Sequence, residues 1–396
     1  MSQREQSTAA IRLDETSSRS DEISAPRISS KWSGWRVWLM PVAVLAAAFA
    51  LQGLAARNPQ LVERYYSRQV FPPIVHVLSL INGVAGFSIG ELMIYVLAAA
   101  LVGTLIYQVR QIYLRRRRIA ALLRTDLIAL IWISGSAMLL FLLIWGLNYQ
   151  REPLAGKLGF TGRNASDEQL KAISENIVNG VNSNYGASHP SDGVDGRPPG
   201  RDQIFELIES AYQHEPLLVD AGSGYGPPKP IYFSGLLSRL GLSGFYMPFT
   251  GEPNFNHAQP DFDLPYVIAH EKAHQRGFAR EDEANFIAFL VCVNSTHPYV
   301  RYSGYLNALK VAGAFVGSDP AFYETLFERI GDGPRKDLRA RAAFWARTEG
   351  PARAVANRVN NSYLKANRIG SGTRSYSEDI ALIVGYYLMR EKNDHN

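Results

Sequence analysis

The chain has 396 residues, of which 46% are apolar, a single cysteine and a formal net charge of +5. One cysteine excludes a disulfide within the chain. Because arginine and lysine concentrate beside apolar segments near the N-terminus, the positive charge predicts membrane anchoring, and no nucleic-acid binding is expected.

Three segments without a charged residue lie in the first 150 residues, at 37–56, 92–109 and 127–150. About 20 apolar residues cross the hydrocarbon core of a bilayer as a helix. We therefore predict a membrane region at 37–150 with three transmembrane helices. Residues 1–36 are too long a lead for an ordinary cleaved signal peptide, so they are predicted to be a retained N-terminal tail.

The distribution of lysine and arginine predicts the orientation of these helices. Six lie in residues 1–36 and six in the 110–124 loop, but only three in the intervening 57–91 loop. Positively charged loops stay in the cytoplasm. The tail is therefore expected in the cytoplasm and residues 151–396 outside it, in the periplasm or the exterior, as part of a multi-pass protein of a bacterial inner (cell) membrane whose first partner is the lipid bilayer.

Two further stretches of the membrane region suit the bilayer surface. Phe71–Gly83 is too short and too interrupted to span, so we expect a short interfacial helix or a segment that packs against the spans. Trp145 and Tyr149 follow the third apolar segment, where aromatic side chains often lie at the outer interface.

Residues 151–396 are enough for one domain with a full core, and most of this region has a helical pattern. Segments 229–236 and 244–255 have strand character, with a turn near Thr250. These segments lie directly before the helical segment that begins at Asp263, and an edge strand there would hold an extended substrate by backbone pairing. The candidate cleft residues are Asn254, Asn256, His257 and Tyr302. A turn, rim or core role is the alternative for each, and Tyr302 is also a candidate oxyanion donor.

An HExxH pentapeptide, His270-Glu-Lys-Ala-His274, closes an apolar run that begins at Asp263. Residues four apart share one face of a helix, so both imidazoles can reach one metal ion. Glu271 then lies beside the ion, where a general base takes a proton from metal-bound water. The alternative is a helix with two surface histidines and no metal.

A catalytic zinc ion needs a third protein ligand and an open position. Gly277 is expected to end the first helix in a left-handed conformation, with a second helix opening just after it. Glu281 on this second helix is the predicted third ligand, and Glu283 is the reserve candidate. Asn285 shares the face of Glu281 and is predicted to bond a histidine's other ring nitrogen.

The helix pair resembles the glutamate zincins, in which a helix carrying a Glu follows the HExxH helix. Six residues separate His274 from Glu281, which is shorter than in most such enzymes. The spacing is closer to the HExxHxxGxxH motif, and Gly277 matches its glycine. The third histidine of that motif falls on Arg280, which cannot ligate a metal.

Several further stretches carry a second resemblance: 87–91 (FSIGE), 145–149 (WGLNY), 248–252 (PFTGE), Pro265, 270–277 (HEKAHQRG), 280–286 (REDEANF), 363–367 (YLKAN) and 375–376 (SY). Together they resemble an uncharacterised bacterial membrane family catalogued as domain of unknown function 3810. The resemblance implies an integral membrane protein with a zincin-like outer domain, and it implies no substrate. The expected fold is therefore mainly α, with three N-terminal transmembrane helices followed by an α+β zincin-like extracytoplasmic domain that has a small sheet and C-terminal helices.

The expected function is that of a membrane-anchored zinc metallopeptidase, with Zn²⁺ as cofactor and a protein or peptide of the envelope or membrane surface as substrate. The alternative is a non-catalytic envelope scaffold, with a structural zinc site or an unmetallated zincin-like fold. A fourth protein ligand such as His257 would favour that alternative. An intramembrane protease is disfavoured because the HExxH motif lies outside the three apolar segments.

Overall fold

The computed structural model describes residues 36–115, 118–160, 165–188, 199–222, 225–372 and 378–394. All but the last residue of the predicted N-terminal tail lies outside the described residues, as does the 375–376 stretch. The described part is mainly helical and contains one small sheet, as the sequence pattern predicts.

The helices are α1 Arg36–Arg57, α2 Pro59–Leu61, α3 Phe71–Gly83, α4 Ile89–Tyr113, α5 Ile119–Ile144, α6 Leu154–Leu158, α7 Asp167–Ser188, α8 Arg201–His214, α9 Ser234–Leu240, α10 Leu264–Gln275, α11 Glu281–Val293, α12 Pro298–Ala308, α13 Phe315–Ser318, α14 Pro320–Glu328, α15 Asp332–Arg347, α16 Pro351–Ala366 and α17 Asp379–Asp394. A π-helix, Val62–Val70, joins α2 to α3, and 3₁₀ turns lie at Gly146–Gln150, Pro216–Ala221, Asp261–Asp263 and Leu309–Ala314.

Three helices are long and apolar enough to cross a membrane, over Val37–Arg57, Ile89–Tyr113 and Ile119–Ile144. The predicted number of candidate spans is confirmed. The third differs from its predicted bounds of 127–150, since the helix begins earlier and ends at Ile144. Charged Arg124 and Asp126 lie in its N-terminal part, so the absence of charge did not mark where the helix begins.

The sheet has three strands: β1 Lys229–Pro230, β2 Gly244–Met247 and β3 Glu252–Phe255. Strand β3 is central, parallel to β1 and antiparallel to β2, so the predicted hairpin before the HExxH helix forms, with β2 at the sheet edge. The predicted strand 229–236 ends after Pro230. The backbone N–H groups of Tyr232 and Phe233 donate to the carboxylate of Glu91 instead of to a neighbouring strand.

Helix α11 lies at the centre of the largest apolar core. Its Phe286, Phe289 and Cys292 have no exposed surface. Helices α8, α10, α12 and α17 pack around it, which explains why residues 286–293 are apolar on every side of the helix. A helix enclosed in this way holds the side chains at its N-terminus in fixed positions.

Residues before 151 pack into the same body as the predicted outer domain. Arg151 donates to the Glu63 carboxylate through Nε (2.8 Å) and Nη2 (2.9 Å), and to the carbonyl of Gly277 through Nη1 (3.0 Å). Burial by itself would raise the pKa of Glu63, but Arg151 and Lys157 outweigh it and lower the pKa to about 2. The turn that follows the HExxH helix is thus tied to the segment between the first two candidate spans.

Candidate metal centre

Helix α10 carries the HExxH motif and ends at Gln275. Gly277 has a φ of +79°, as predicted for a left-handed residue that ends a helix. A Cβ at this position would also lie 2.8 Å from the ring of Phe71, so both the backbone and the space available require glycine. The turn brings α11, which begins at Glu281, back against α10.

Three potential ligand atoms converge between α10 and α11. Glu281 Oε2 lies 3.3 Å from His270 Nε2 and 3.6 Å from His274 Nε2. One ligand atom from each residue lies within 4.8 Å of the others. Zinc bonds of about 2.1 Å in a tetrahedron separate the ligand atoms by about 3.4 Å. The observed separations therefore fit a tetrahedral ion without rearrangement of these two pairs.

Two buried carboxylate oxygens at the centre also fit a cation. Among the described residues, Glu281 Oε2 and Glu271 Oε2 accept no hydrogen bond. A buried acceptor without a partner costs about 1–3 kcal/mol, and more when it is charged. A cation held by the two histidines and Glu281 would neutralise that charge where the three ligand atoms meet.

The orientation of His274 suits a metal ligand. Its Nδ1 lies 2.7 Å from the carbonyl oxygen of Phe278. A carbonyl only accepts, so Nδ1 carries the proton and the lone pair of a neutral ring is on Nε2, which faces Glu281. At the other histidine, Asn285 is close enough to favour a higher pKa of His270. Among the described residues, however, Nδ1 of His270 has no hydrogen-bond partner, so the predicted bond from Asn285 to a histidine's other ring nitrogen stays a prediction.

Burial and charge act in opposite directions at the four central residues. Burial lowers the pKa of His270, and at His274 the same effect is outweighed by Glu281 and Glu271, which raise the pKa to about 9. Burial raises the pKa of Glu271 to about 8. Burial would also raise that of Glu281, but the two histidines hold it well below its usual range. The cluster therefore favours uptake of positive charge, as a proton or as a cation.

Strand β2 passes directly beside Glu271. A Cβ at Gly244 would lie only 2.5 Å from Glu271 Oε1 and 2.7 Å from the carbonyl oxygen of Asn254. Only glycine permits so close an approach between the sheet edge and the HExxH helix. Sequence analysis missed Gly244, although a glycine that opens a strand in front of the motif was a usable signal.

A cavity of about 200 Å³ opens beside His270. It is lined by both polar and apolar atoms of Ser243, Gln259, Asp263, Tyr266, Val267, His270, Asn285, Asn307, Arg341 and Trp345. Arg341 Nε donates to Asp263 at 3.0 Å, and a second guanidinium nitrogen bonds the other carboxylate oxygen. Sequence analysis missed Asn307, Arg341 and Trp345 because they lie on later helices that only folding brings to the cleft.

Three predicted cleft residues are structural instead. Asn254, Asn256 and Tyr302 have no exposed surface, so a substrate cannot reach them. The Asn254 side chain donates to the carbonyl of Glu252 at 2.9 Å, and the Tyr302 hydroxyl donates to Asp337 at 2.6 Å. The fourth cleft candidate, His257, has Nδ1 2.8 Å from the carbonyl of Ile231 and holds a turn.

The reserve ligand Glu283 faces away from the histidines. Its Oε1 accepts the N–H of Leu154 at 2.7 Å, at the first residue of α6. Among the described residues, the ligand cluster contains neither Glu283 nor His257. Glu281 is therefore the acidic residue that the fold brings to the two histidines.

Trp145 and Tyr149 are not at a lipid interface, which corrects their predicted location. They are 3% and 2% exposed. The Trp145 Nε1–H donates to the carbonyl of His274 at 2.9 Å, and its ring meets that of His274 edge to face. The chain leaves α5 at Ile144 and turns into the protein, so Trp145 packs against His274 and Tyr149 packs against Trp145.

Comparison with curated proteins found no match, and neither did comparison with solved structures. A family model described as "Protein of unknown function (DUF3810)" matches residues 66–384. The matched region includes the last two candidate spans, the sheet and the helix pair that carries His270, His274 and Glu281. This protein therefore belongs to the DUF3810 family of proteins of unknown function.

Proposed function

We propose that this protein is a membrane-anchored zinc metallopeptidase with a zincin-like catalytic domain. The observation that carries the proposal is the convergence of His270, His274 and Glu281, in which the Glu281 carboxylate lies at tetrahedral separations from both histidines, beside Glu271. Catalytic zinc sites have three protein ligands and an open position, whereas structural sites have four. Among the described residues no fourth His, Cys, Asp or Glu joins the cluster, which supports catalysis over a scaffold role.

When bound, Zn²⁺ would polarise the substrate carbonyl and make water a stronger acid. Glu271 takes a proton from the attacking water and returns it to the leaving amine. Burial raises the pKa of Glu271 to about 8, near the range in which a carboxyl group both accepts and releases a proton at neutral pH. His274 is held in one orientation by the carbonyl of Phe278 and by Trp145.

The substrate lies in extended conformation along β2. An edge strand offers unpaired backbone groups to an extended peptide, and Gly244 brings this edge within contact of Glu271. The cavity lined by Ser243 and Arg341 continues from His270 and accepts a polar part of the peptide. The scissile bond is thereby placed between the strand and the HExxH helix.

In the proposed orientation the N-terminus is cytoplasmic and the metal centre lies outside the cytoplasm, in a bacterial inner membrane. The arginines at 115–118 support a cytoplasmic loop between the second and third spans. An alkaline phosphatase fused after residue 396 should be active. A fusion that is inactive there, but active when placed after Leu114, would refute this orientation.

Zinc content tests the metal centre. The purified full chain should hold one zinc ion, and the His270→Ala/His274→Ala variant none. Glu281→Gln should lose most of its affinity because a neutral amide replaces the anionic ligand. Glu283→Gln is the matched control, because it lies on the same helix and its amide oxygen can still accept the Leu154 N–H.

Peptide hydrolysis tests the reaction. Screened against a peptide library, the zinc-loaded chain should cleave, and Glu271→Gln should keep its zinc but not cleave. Equal cleavage by the two proteins would refute the role of Glu271. Absence of zinc from the folded wild-type chain would refute the proposed function itself.

A further inference from the structure

The second half of helix α3 has an amphipathic pattern that is reversed relative to a helix at an aqueous surface. The buried side chains are apolar in the first half, Phe71 and Val75, and polar in the second half, Ser79 and Asn82, which are 4% and 1% exposed. Its outward side chains include, besides His76, large apolar ones that are more than half exposed: Val77, Leu80, Ile81 and, just after the helix, Val84. A helix that faces water buries its apolar side chains and exposes its polar ones.

Specific bonds fix this orientation of α3. Asn82 Nδ2 donates to the carbonyl of Thr250 at 2.8 Å, within the turn that joins β2 to β3. Leu78 packs so closely on Gly251 that a Cβ there would lie 2.8 Å from it. Helix α3 is therefore attached to the sheet through Leu78 and Asn82, and the exposed apolar side chains cannot turn inward without breaking these contacts.

The segment from Tyr232 through α9 likewise buries two serines, together with Leu237, and exposes large apolar side chains. Ser234 and Ser238 are each 2% exposed, whereas Tyr232 is 80%, Phe233 53% and Leu236 54% exposed. The Ser234 hydroxyl donates to the carbonyl of Ile231 at 2.7 Å. Two separate elements thus present large apolar side chains outward while their hydroxyl groups are bonded inside.

Hydrogen bonds connect both elements to the first turn of α4, the second candidate span: the 232–236 segment directly, and α3 through the β2–β3 turn and strand β3. The Glu91 carboxylate of that turn accepts the N–H groups of Tyr232 at 2.8 Å and Phe233 at 3.0 Å. Glu252 of β3 accepts those of Gly90 at 2.6 Å and Ile89 at 3.0 Å. The exposed apolar side chains therefore surround the point where a membrane-crossing helix begins.

We propose that the outward face of α3 and the 232–236 segment, together the membrane-facing surface, lie in the interfacial layer of the bilayer that α4 crosses. Large apolar and tyrosine side chains beside a span are favoured in that layer, and several large apolar side chains exposed around one point are unfavourable in water. The partner is the lipid itself, at the boundary between headgroups and acyl chains.

A consequence for the substrate follows, and this part rests on the proposed function. Strand β3 is bonded to the start of α4 and packs against α10, which carries the metal centre. The cleft is then held at a fixed height above the bilayer. Its substrates are membrane proteins or lipid-anchored peptides whose cleavage site lies close to the membrane surface.

Quenching by labelled lipid tests the membrane contact in the full chain. Cys292 is the only cysteine, so Cys292→Ala gives a background for single-cysteine variants carrying a fluorescent NBD label. The test positions are Val84→Cys and Tyr232→Cys. The reference positions are Leu101→Cys, exposed within α4, and Val316→Cys, exposed on α13. Each protein is placed in phosphatidylcholine nanodiscs with or without nitroxide-labelled phosphatidylcholine.

We expect the nitroxide lipid to reduce emission at 84 and 232 as it does at 101, and to leave emission at 316 unchanged. The proposal is overturned if 84 and 232 behave like 316 while 101 is quenched, including the case in which a second copy of the chain covers them. Zinc content measured on the same samples separates the two ideas. Zinc-loaded protein without quenching at 84 and 232 overturns only the membrane contact, and quenched protein without zinc overturns only the metallopeptidase.

Discussion

Replacement of Gly244 by alanine should disturb Glu271 without touching a proposed zinc ligand. The added Cβ would lie 2.5 Å from Glu271 Oε1, 2.7 Å from the carbonyl oxygen of Asn254 and 2.9 Å from Glu271 Cγ. Ordinary contact begins at 3.4 Å. Either the Glu271 carboxylate or the β2 backbone must therefore move by about 0.9 Å.

The size of the effect follows from this displacement. Overpacking of a closely packed site costs about 1–3 kcal/mol, which lowers the melting temperature by about 3–9 °C in a domain of this size. A catalytic group misplaced by about 1 Å loses on the order of 100-fold in rate. Zinc affinity should be unchanged, because the atoms nearest to the added Cβ belong to Glu271 and to the backbone of Asn254, not to His270, His274 or Glu281.

The assay compares Gly244→Ala with Gly370→Ala, a matched control at a glycine that has no heavy atom within 4 Å of the added Cβ and no left-handed φ. Thermal unfolding, zinc content and peptide hydrolysis are measured on both. If Gly244→Ala melts and hydrolyses peptide like Gly370→Ala, the sheet edge does not press on Glu271, and the proposed placement of substrate along β2 is wrong.

Three further predictions concern the support of the site. Arg151→Leu should destabilise the protein by about 3 kcal/mol, since Glu63 loses a buried partner. The pKa of Glu63 is depressed from 4.5 to about 2 in the folded protein, so its stabilising contribution is complete above pH 4.5 and is lost as the pH falls towards 2. Thermal unfolding across that window should therefore depend less on pH in Glu63→Gln than in the wild-type chain. Trp145→Phe keeps a ring but removes the hydrogen bond to His274, so chelator competition should show zinc affinity about tenfold weaker, whereas Trp132→Phe, in α5, should leave it unchanged. Burial raises the pKa of the Cys292 thiol well above its usual range, so maleimide should label it only after denaturation, and rapid labelling of the native protein would contradict the buried position of α11.

Local sequence patterns were sufficient for the helices and the hairpin near the site. Apolar length predicted three candidate spans, and the left-handed Gly277 between two helices was confirmed. The i, i+4 spacing of His270 and His274 placed both on one face of α10. These features depend on neighbours within a few residues, which the sequence states directly.

Packing between distant helices decided which acidic residue meets the histidines and which side chains line the cleft, two points that the sequence pattern left open. The helix α11 presents Glu281 to the histidines and Glu283 to α6, a choice that depends on how α11 docks against its neighbours. Tyr302, predicted for the cleft, is buried, and Arg341, which no pattern indicated, lines it. Sequence distance carries no information about such contacts, because they form between helices far apart in the chain.

By itself, the sequence determined that this chain has three membrane-length helices and a helix pair able to bring two histidines and a glutamate together. Only the tertiary structure decided that Trp145 supports His274, that Gly244 brings the sheet edge to Glu271, and that α3 turns Leu80 and Ile81 outward. The physical reason is that helical periodicity and turn geometry depend on adjacent residues. Which side of a helix or strand is buried depends instead on the elements that pack against it.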